Sequence, residues 1–187
     1  MSESKTTMYT RTKKINLLRR HIYNECWFVL YTRPNFEKII DKKLKELGFH
    51  SYLPLQKELR HWNDRNVWIE TPLFRSYIFI KTNLKKKDRA FKVNGILNYI
   101  SFGSQLATLS EEEINRIKQL CSYDGRITIE FEKLLIGKRI EICDGALRGL
   151  KGFLIDNDSR RIRIQIESLN CFATVTIDTD SVSFKYI

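Results

Sequence analysis

Four glycines spaced through residues 137–154 constrain this chain more tightly than any other feature. The run reads GKRIEICDGALRGLKGFL and opens on Gly137. Ile140 and Ile142 alternate with charged residues, as in a strand with one buried face. Gly145 and Gly149 bracket a loop, and Gly152 stands directly before the next apolar pair. Each is a position where a tight corner or a close backbone approach favours a residue without Cβ. Downstream, residues 161–167 read RIRIQIE, and Val175 and Ile177 repeat the same alternation. A helix would scatter those three isoleucines around its axis, whereas a strand aligns them on one face. Residues 136–187 are therefore expected to form a small all-β barrel of short strands.

The chain before this region mixes periodicities. Residues 26–32 (CWFVLYT) are β-branched and aromatic and apolar on both faces, which fits a buried central strand. Pro34 stops that strand and Asn35 is placed to cap a helix over 36–47. Phe36, Ile39, Ile40, Leu44 and Leu47 give the helix its apolar face, and Gly48 supplies a left-handed residue at its end. Lys43 falls inside that apolar sector, either as a snorkelling side chain or as a cation at the edge of a binding surface. A strand over 49–54 follows, then a hairpin of 57–62 and 67–70 around the polar turn 63–66. In the strand 74–80, Tyr77 and Phe79 share one face, while Phe74, Ser76, Ile78 and Ile80 share the other. A short charged helix (84–93) and a strand (97–102) lead to a helix over 110–120. Ser110 and Glu113 form a capping box there, clasped by Leu109 and Ile114. The interleaved order predicts an α+β sandwich, with helices on a mostly antiparallel sheet. Ile127, Ile129 and Phe131 alternate, yet Asp124–Gly125 and Glu130–Lys133 read as a connector, so residues 122–135 are expected to be a linker with some extended character.

Charge points outward, to partners. There are 33 basic and 22 acidic residues, a formal net charge of +11. Residues 1–24 hold six of the basic residues and one acidic residue, and are expected to be a disordered basic arm. Nucleic acid, or a machine built around it, is the first partner class this implies. No apolar run is long enough to cross a bilayer, so no membrane partner is expected. The four cysteines form no C-x-x-C pair and no histidine lies at metal-ligand spacing from them, so reduced thiols, a cytoplasmic location and no metal or cofactor are expected. No Walker loop, G-x-S-x-G, H-E-x-x-H or paired-carboxylate motif is present, so the chain is not expected to be an enzyme.

The run 137–154 resembles the KOW motif. Trp27–Phe28–Val29–Leu30–Tyr31, the helix after it, Pro54, the segment from Pro72 to Ile80 and the capped helix from Ser110 resemble the N-terminal (NGN) domain of NusG proteins. Their order over residues 26–187 is that of the NusG family of transcription factors. The resemblance implies an NGN α/β sandwich followed by an SH3-like KOW barrel. The expected division is a basic arm (1–24), an NGN domain (25–121), a linker (122–135) and a KOW domain (136–187). It implies binding to the clamp helices of RNA polymerase through Tyr31, Phe74, Tyr77 and Phe79, although Phe74 also suits a core position and Tyr77 and Phe79 suit either role. Arg33, Lys43, Lys57, Arg60, His61 and Arg65 form a basic set for non-template DNA, with a merely solvated hairpin tip as the alternative. The barrel is expected to recruit a ribosomal protein or a termination factor, and the protein to act as a monomer. Family members carry Pro-Gly before the tyrosine; here Arg75–Ser76 removes that rigidity and adds a charge. This departure and the basic arm point to a specialised antitermination paralog of the UpxY or RfaH type, serving particular operons such as surface-polysaccharide loci. A general housekeeping NusG and a ribosome-associated RNA-binding KOW protein are the alternatives.

Overall fold

A computed structural model describes residues 24–62, 65–125, 127–130, 138–154, 161–169, 171–176 and 183–187. Residues 1–23 of the expected arm, Gly137, Phe131, Ile177 and the hairpin tip Asn63–Asp64 lie outside the described residues. In chain order the elements are β1 (Cys26–Thr32), α1 (Glu37–Glu46), β2 (His50–Tyr52), β3 (Leu55–Trp62), β4 (Arg65–Pro72) and β5 (Tyr77–Thr82). A 3₁₀ helix (Lys87–Lys92), β6 (Ile96–Tyr99), β7 (Ser101–Phe102), β8 (Gln105–Leu106), β9 (Thr108–Leu109) and α2 (Glu111–Cys121) follow. The remainder is β10 (Ile127–Glu130), β11 (Lys138–Ile142), β12 (Lys151–Leu154), β13 (Arg161–Ile166), a second 3₁₀ helix (Glu167–Leu169), β14 (Cys171–Thr176) and β15 (Phe184–Tyr186). The chain divides into two compact units, Met1–Tyr52 with Ser76–Thr108, and Leu53–Arg75 with Leu109–Ile187.

In the first unit, β2, β5, β1 and β6 lie side by side in that order, each pair antiparallel. Phe28, Leu30, Ile78 and Ile80 are buried on one face, and α1 packs there through Ile40 and Leu44. The helix differs from its sequence reading in three respects. It starts at Glu37 with Phe36 in the cap position and no side-chain cap. Asn35 adopts φ 66° instead, because asparagine tolerates the left-handed turn that must follow Pro34. The buried stripe is Glu37, Ile40 and Leu44, so Phe36 and Ile39 remain 45% and 53% exposed and Lys43 lies on the outside with them. Gly48 takes φ 82° as expected, directly after the helix.

Two further elements are shorter than their sequence patterns. The segment 84–93 becomes a 3₁₀ helix behind a turn in which Asn83 Oδ1 accepts the Lys85 and Lys86 N–H groups, both at 3.1 Å. The strand read over 74–80 begins only at Tyr77, leaving Phe74 to Ser76 in the turn before it.

In the second unit, β3 and β4 form a ribbon in register from Leu55↔Pro72 to Trp62↔Arg65. Helix α2 carries the expected capping box: Glu113 N–H donates to Ser110 Oγ at 3.2 Å and Ser110 N–H to Glu113 Oε2 at 3.0 Å. Six antiparallel strands make one sheet in the order β10-β14-β13-β12-β11-β15. In β13 the isoleucines point inward, and Ile162, Ile164 and Ile166 are all buried. The stretch read as a linker contains β10, which pairs with β14 and is tied to β13 by an Arg163–Glu130 ion pair at 2.7 Å. Gln119 Nε2 donates to the Ala146 and Arg148 carbonyls at 2.9 and 2.8 Å, and Ser168 N–H donates to Glu113 Oε1 at 3.1 Å, so α2 is stitched to two turns of the sheet.

The three described glycines of the run 137–154 act as their spacing implied. Gly145 and Gly149 have φ of 69° and 82°. At Gly152 a Cβ would meet the Arg163 carbonyl oxygen at 2.5 Å and Ile162 Cγ2 at 2.9 Å. Because the nearest obstacle is backbone, Gly152→Ala must displace β13 and is expected to destabilise the protein by about 2 kcal/mol, within the range for overpacking, read by urea unfolding. Burial pushes the Glu113 pKa up, but hydrogen bonds from Ser168 and Ser110 outweigh that and hold it below the usual glutamate value. A carboxylate with a depressed folded pKa stabilises above its unfolded pKa, roughly 4.3, and loses that contribution as pH falls through the folded value. Glu113→Gln is therefore expected to flatten the acid limb of a pH–stability profile while lowering stability at neutral pH.

Candidate functional site

The opposite face of the first unit's sheet is a row of aromatic rings. It follows from alternation: Trp27, Val29 and Tyr31 project from β1 on the side away from α1, Tyr77 and Phe79 from β5, and His50 and Tyr52 from β2. Register brings Tyr31 beside Tyr77, Val29 beside Phe79, and Phe79 beside Tyr52. The Tyr31 and Tyr77 rings meet edge to face at 5.9 Å, Tyr52 and Phe79 stack at 6.3 Å, and Trp27 meets His50 at 5.0 Å. Exposure varies along the row. Trp27 and Phe79 are buried, Tyr52 and Tyr77 are half-buried, and Tyr31, at 36%, and His50 are exposed. The Tyr31–Tyr77 pair is thus accessible at one end of the row and His50 at the other. Phe74 is not on this face; it is buried in the second unit, beside a groove of about 770 Å³ also lined by Leu59, Trp68, Ile127 and Ile129.

The turn before Tyr77 fixes the pair. Ser76 has φ 64°, the left-handed region in which glycine is usual. Its N–H donates to Glu37 Oε1 at 2.8 Å, and its carbonyl accepts the Thr32 N–H at 2.8 Å. Glu37 is only 4% exposed. The rigidity that Pro-Gly would supply therefore comes from a carboxylate on the first turn of α1, a long-range partner that no local sequence signal marks.

The basic residues separate into two groups. Arg33 and Lys43 are exposed on the first unit, and Lys57, Arg60, His61 and Arg65 are exposed on the ribbon of the second. On the ribbon, Arg60 pairs with Glu58 at 3.4 Å, Lys57 stands opposite Glu70, and His61 Nδ1 bonds Asn66 Oδ1 at 2.5 Å. Sequence reasoning missed two exposed apolar features. Leu59 and Trp68 face each other across the ribbon at 48% and 64% exposure. Phe36 and Ile39 were read as core. Burial raises the Cys26 thiol to about 11 and the Cys171 thiol to about 12, which keeps both protonated at neutral pH. No group of three metal-ligating side chains occurs among the described residues, and no helix among them is long and apolar enough to cross a membrane.

A family model described as transcription termination factor nusG matches residues 25–118. The chain belongs to the NusG family. The match contains the aromatic row, the Ser76 turn and the ribbon. Among solved structures, one described as "Domain interaction in Thermotoga maritima NusG" superposes with a TM-score of 0.53 at 17% identity, covering 86% of this chain and 97% of that one, a likeness of fold. A second, described as "Crystal Structure of MjSpt4:Spt5 complex conformation A", is 14% identical with a TM-score of 0.31, covering 86% and 98%. No curated protein sequence matches. The NusG-family turn gives a direct test. A left-handed non-glycine residue costs roughly 1–2 kcal/mol, while glycine adds roughly 0.4–1 kcal/mol of unfolded-state entropy. The first effect is larger, so Ser76→Gly is expected to raise the melting temperature.

Proposed function

We propose that this NusG-family protein is a transcription elongation and antitermination factor that docks on the clamp helices of RNA polymerase through the Tyr31–Tyr77 end of its aromatic row. The supporting observation is that Tyr31 and Tyr77 reach the surface as an edge-to-face pair, with Val29 and Phe79 fully buried beside them in the same sheet face. Aromatic anchors held rigidly by their surroundings lose little entropy on binding and are frequent hot spots. No bond-making step is required. A ligand that binds one polymerase conformation better than another shifts the enzyme toward it, and the pause-resistant closed clamp is the conformation proposed here. Phe79, buried on the same sheet face, supports the docking surface from within; Phe74, buried in the second unit, is not part of it.

Arg75 is exposed and stands two positions before Tyr77 in the sequence, a positive charge where the resemblance leads one to expect proline. With the basic arm, it favours a specialised paralog acting on particular operons over a general member. The six-stranded sheet, with its Gly145, Gly149 and Gly152 corners, is proposed as the KOW barrel that recruits a ribosomal protein or a termination factor. Non-template DNA is a further proposed partner. The protein is proposed to work as a cytoplasmic monomer without a cofactor.

Tyr77→Ala is expected to weaken binding to a polymerase clamp-helix fragment by about thirtyfold, the scale of a hot spot of about 2 kcal/mol, with an unchanged circular dichroism spectrum. Unaltered affinity in the pull-down rejects this docking surface. Tight binding to ribosomal RNA with no polymerase affinity favours the ribosome-associated alternative.

A further inference from the structure

Strand β10 stands apart from the sheet it completes. It lies at one end of the strand order, with β14 as its only neighbour among the described strands. The other five strands, β11 to β15, all follow Lys138 and enclose the glycine corners. They make up the barrel that the sequence pattern places after residue 136. β10 is an addition to it, drawn from the stretch whose composition marks a connector.

The grip of β10 is small. Of its side chains only Ile127 is buried; Ile129 and Glu130 are half-buried and Thr128 is exposed. Glu130 reaches across β14 to Arg163 at 2.7 Å, and just before the strand the Tyr123 hydroxyl donates to the Thr176 carbonyl at 2.9 Å. What β10 covers is large by comparison, for β14 is buried from Cys171 to Val175. The fit is also incomplete. The Thr174 hydroxyl has no hydrogen-bond partner among the described residues, although its residue is only 7% exposed and Thr128 stands directly opposite. A buried hydroxyl left unpaired is a standing cost that a different strand can remove.

We propose that the β14 edge is a docking edge for an extended segment of a partner protein, and that β10 is its removable cover. Such an edge supplies the recruiting surface proposed above for the sheet, and the existence of a partner rests on that reading. A strand laid on β14 gains main-chain hydrogen bonds whatever its sequence, while alternate side chains give selectivity. β10 displays the pattern that fits. Its apolar residues stand opposite Val175 and Ala173, on the face that carries the β13 isoleucines, and its carboxylate stands opposite Phe172 and meets Arg163. The partner segment is therefore apolar–polar–apolar–acidic, antiparallel to β14, with a polar side chain that bonds the Thr174 hydroxyl. The tethered β10 competes at an effective concentration on the order of millimolar. A free segment then binds in proportion to the fraction of molecules in which β10 is off.

The test uses the full chain and a fluorescent synthetic peptide of residues 124–132, which carries the sequence of β10, read by anisotropy. Removing both latches with Tyr123→Phe/Glu130→Gln is expected to raise the peptide's affinity at least about tenfold, since the covered state loses two contacts and the open fraction grows in proportion. A peptide carrying Glu130→Lys is expected to bind that variant at least about tenfold more weakly, because it sets like charge against Arg163. Thr128→Cys/Thr174→Cys, in a Cys143→Ser background, joins two directly opposed residues at a spacing that suits a disulfide. Oxidation is expected to abolish peptide binding and a reductant to restore it, so the same molecules serve as their own folding control. Equal binding in the two redox forms, or no gain in the unlatched variant with an unchanged circular dichroism spectrum, overturns the proposal. Dimers of the unlatched variant that bind no peptide also overturn it and make a second copy the occupant. Strand exchange is read with the peptide alone, so it stands or falls independently of which protein the sheet recruits and of clamp-helix binding, which is expected to be equal in both redox forms.

Discussion

One buried hydrogen bond organises the first unit. The Glu37 carboxylate leaves water almost completely, and it is tolerable there because it accepts the Ser76 amide. The same peptide returns its carbonyl to Thr32. The start of α1, the end of β1 and the start of β5 therefore meet at a single residue in a left-handed conformation. Tyr77 follows directly, and its ring can face Tyr31 only while that peptide is held. Removing the carboxylate would leave a buried amide unpaired as well as a helix start untied, so the cost would exceed that of one ordinary hydrogen bond.

The sheet then separates two kinds of surface. Its aromatic row faces away from α1, and its other face carries the buried residues on which α1 packs. A sheet whose residues alternate between faces does this without further devices, because adjacent residues of β1 and β5 serve opposite sides.

Elements whose signal is local were legible in the sequence. The Ser110–Glu113 box, the left-handed Gly48, Gly145 and Gly149, and the alternation of the β13 isoleucines each depend on neighbours within a few residues, and each stands where the pattern put it. The misreadings have a common physical origin, which is competition between local signals. Asn35 is both a good cap and a good left-handed residue, and the turn after Pro34 claimed it. Phe36 and Ile39 have helical spacing, but a helix on a flat sheet buries a narrow stripe, and Glu37 occupies part of it. Ile127 and Ile129 carried a correct strand alternation in a stretch that composition marked as a connector. At the candidate site, Tyr31 and Tyr77 could be read from alternation and family resemblance. The Glu37–Ser76 contact joins residues 39 positions apart and is invisible to any local rule.

The exposed ribbon pair gives the molecule a built-in optical contrast. Trp68 presents 64% of its surface to solvent, whereas Trp27 presents 2%. An indole in water emits at longer wavelength than one in a protein interior, and a small quencher reaches only the first. Trp62 lies on the same ribbon, so whatever settles there changes emission from the ribbon tryptophans while the buried Trp27 contributes a constant background. The second unit thus carries its own reporters of occupancy, without a label.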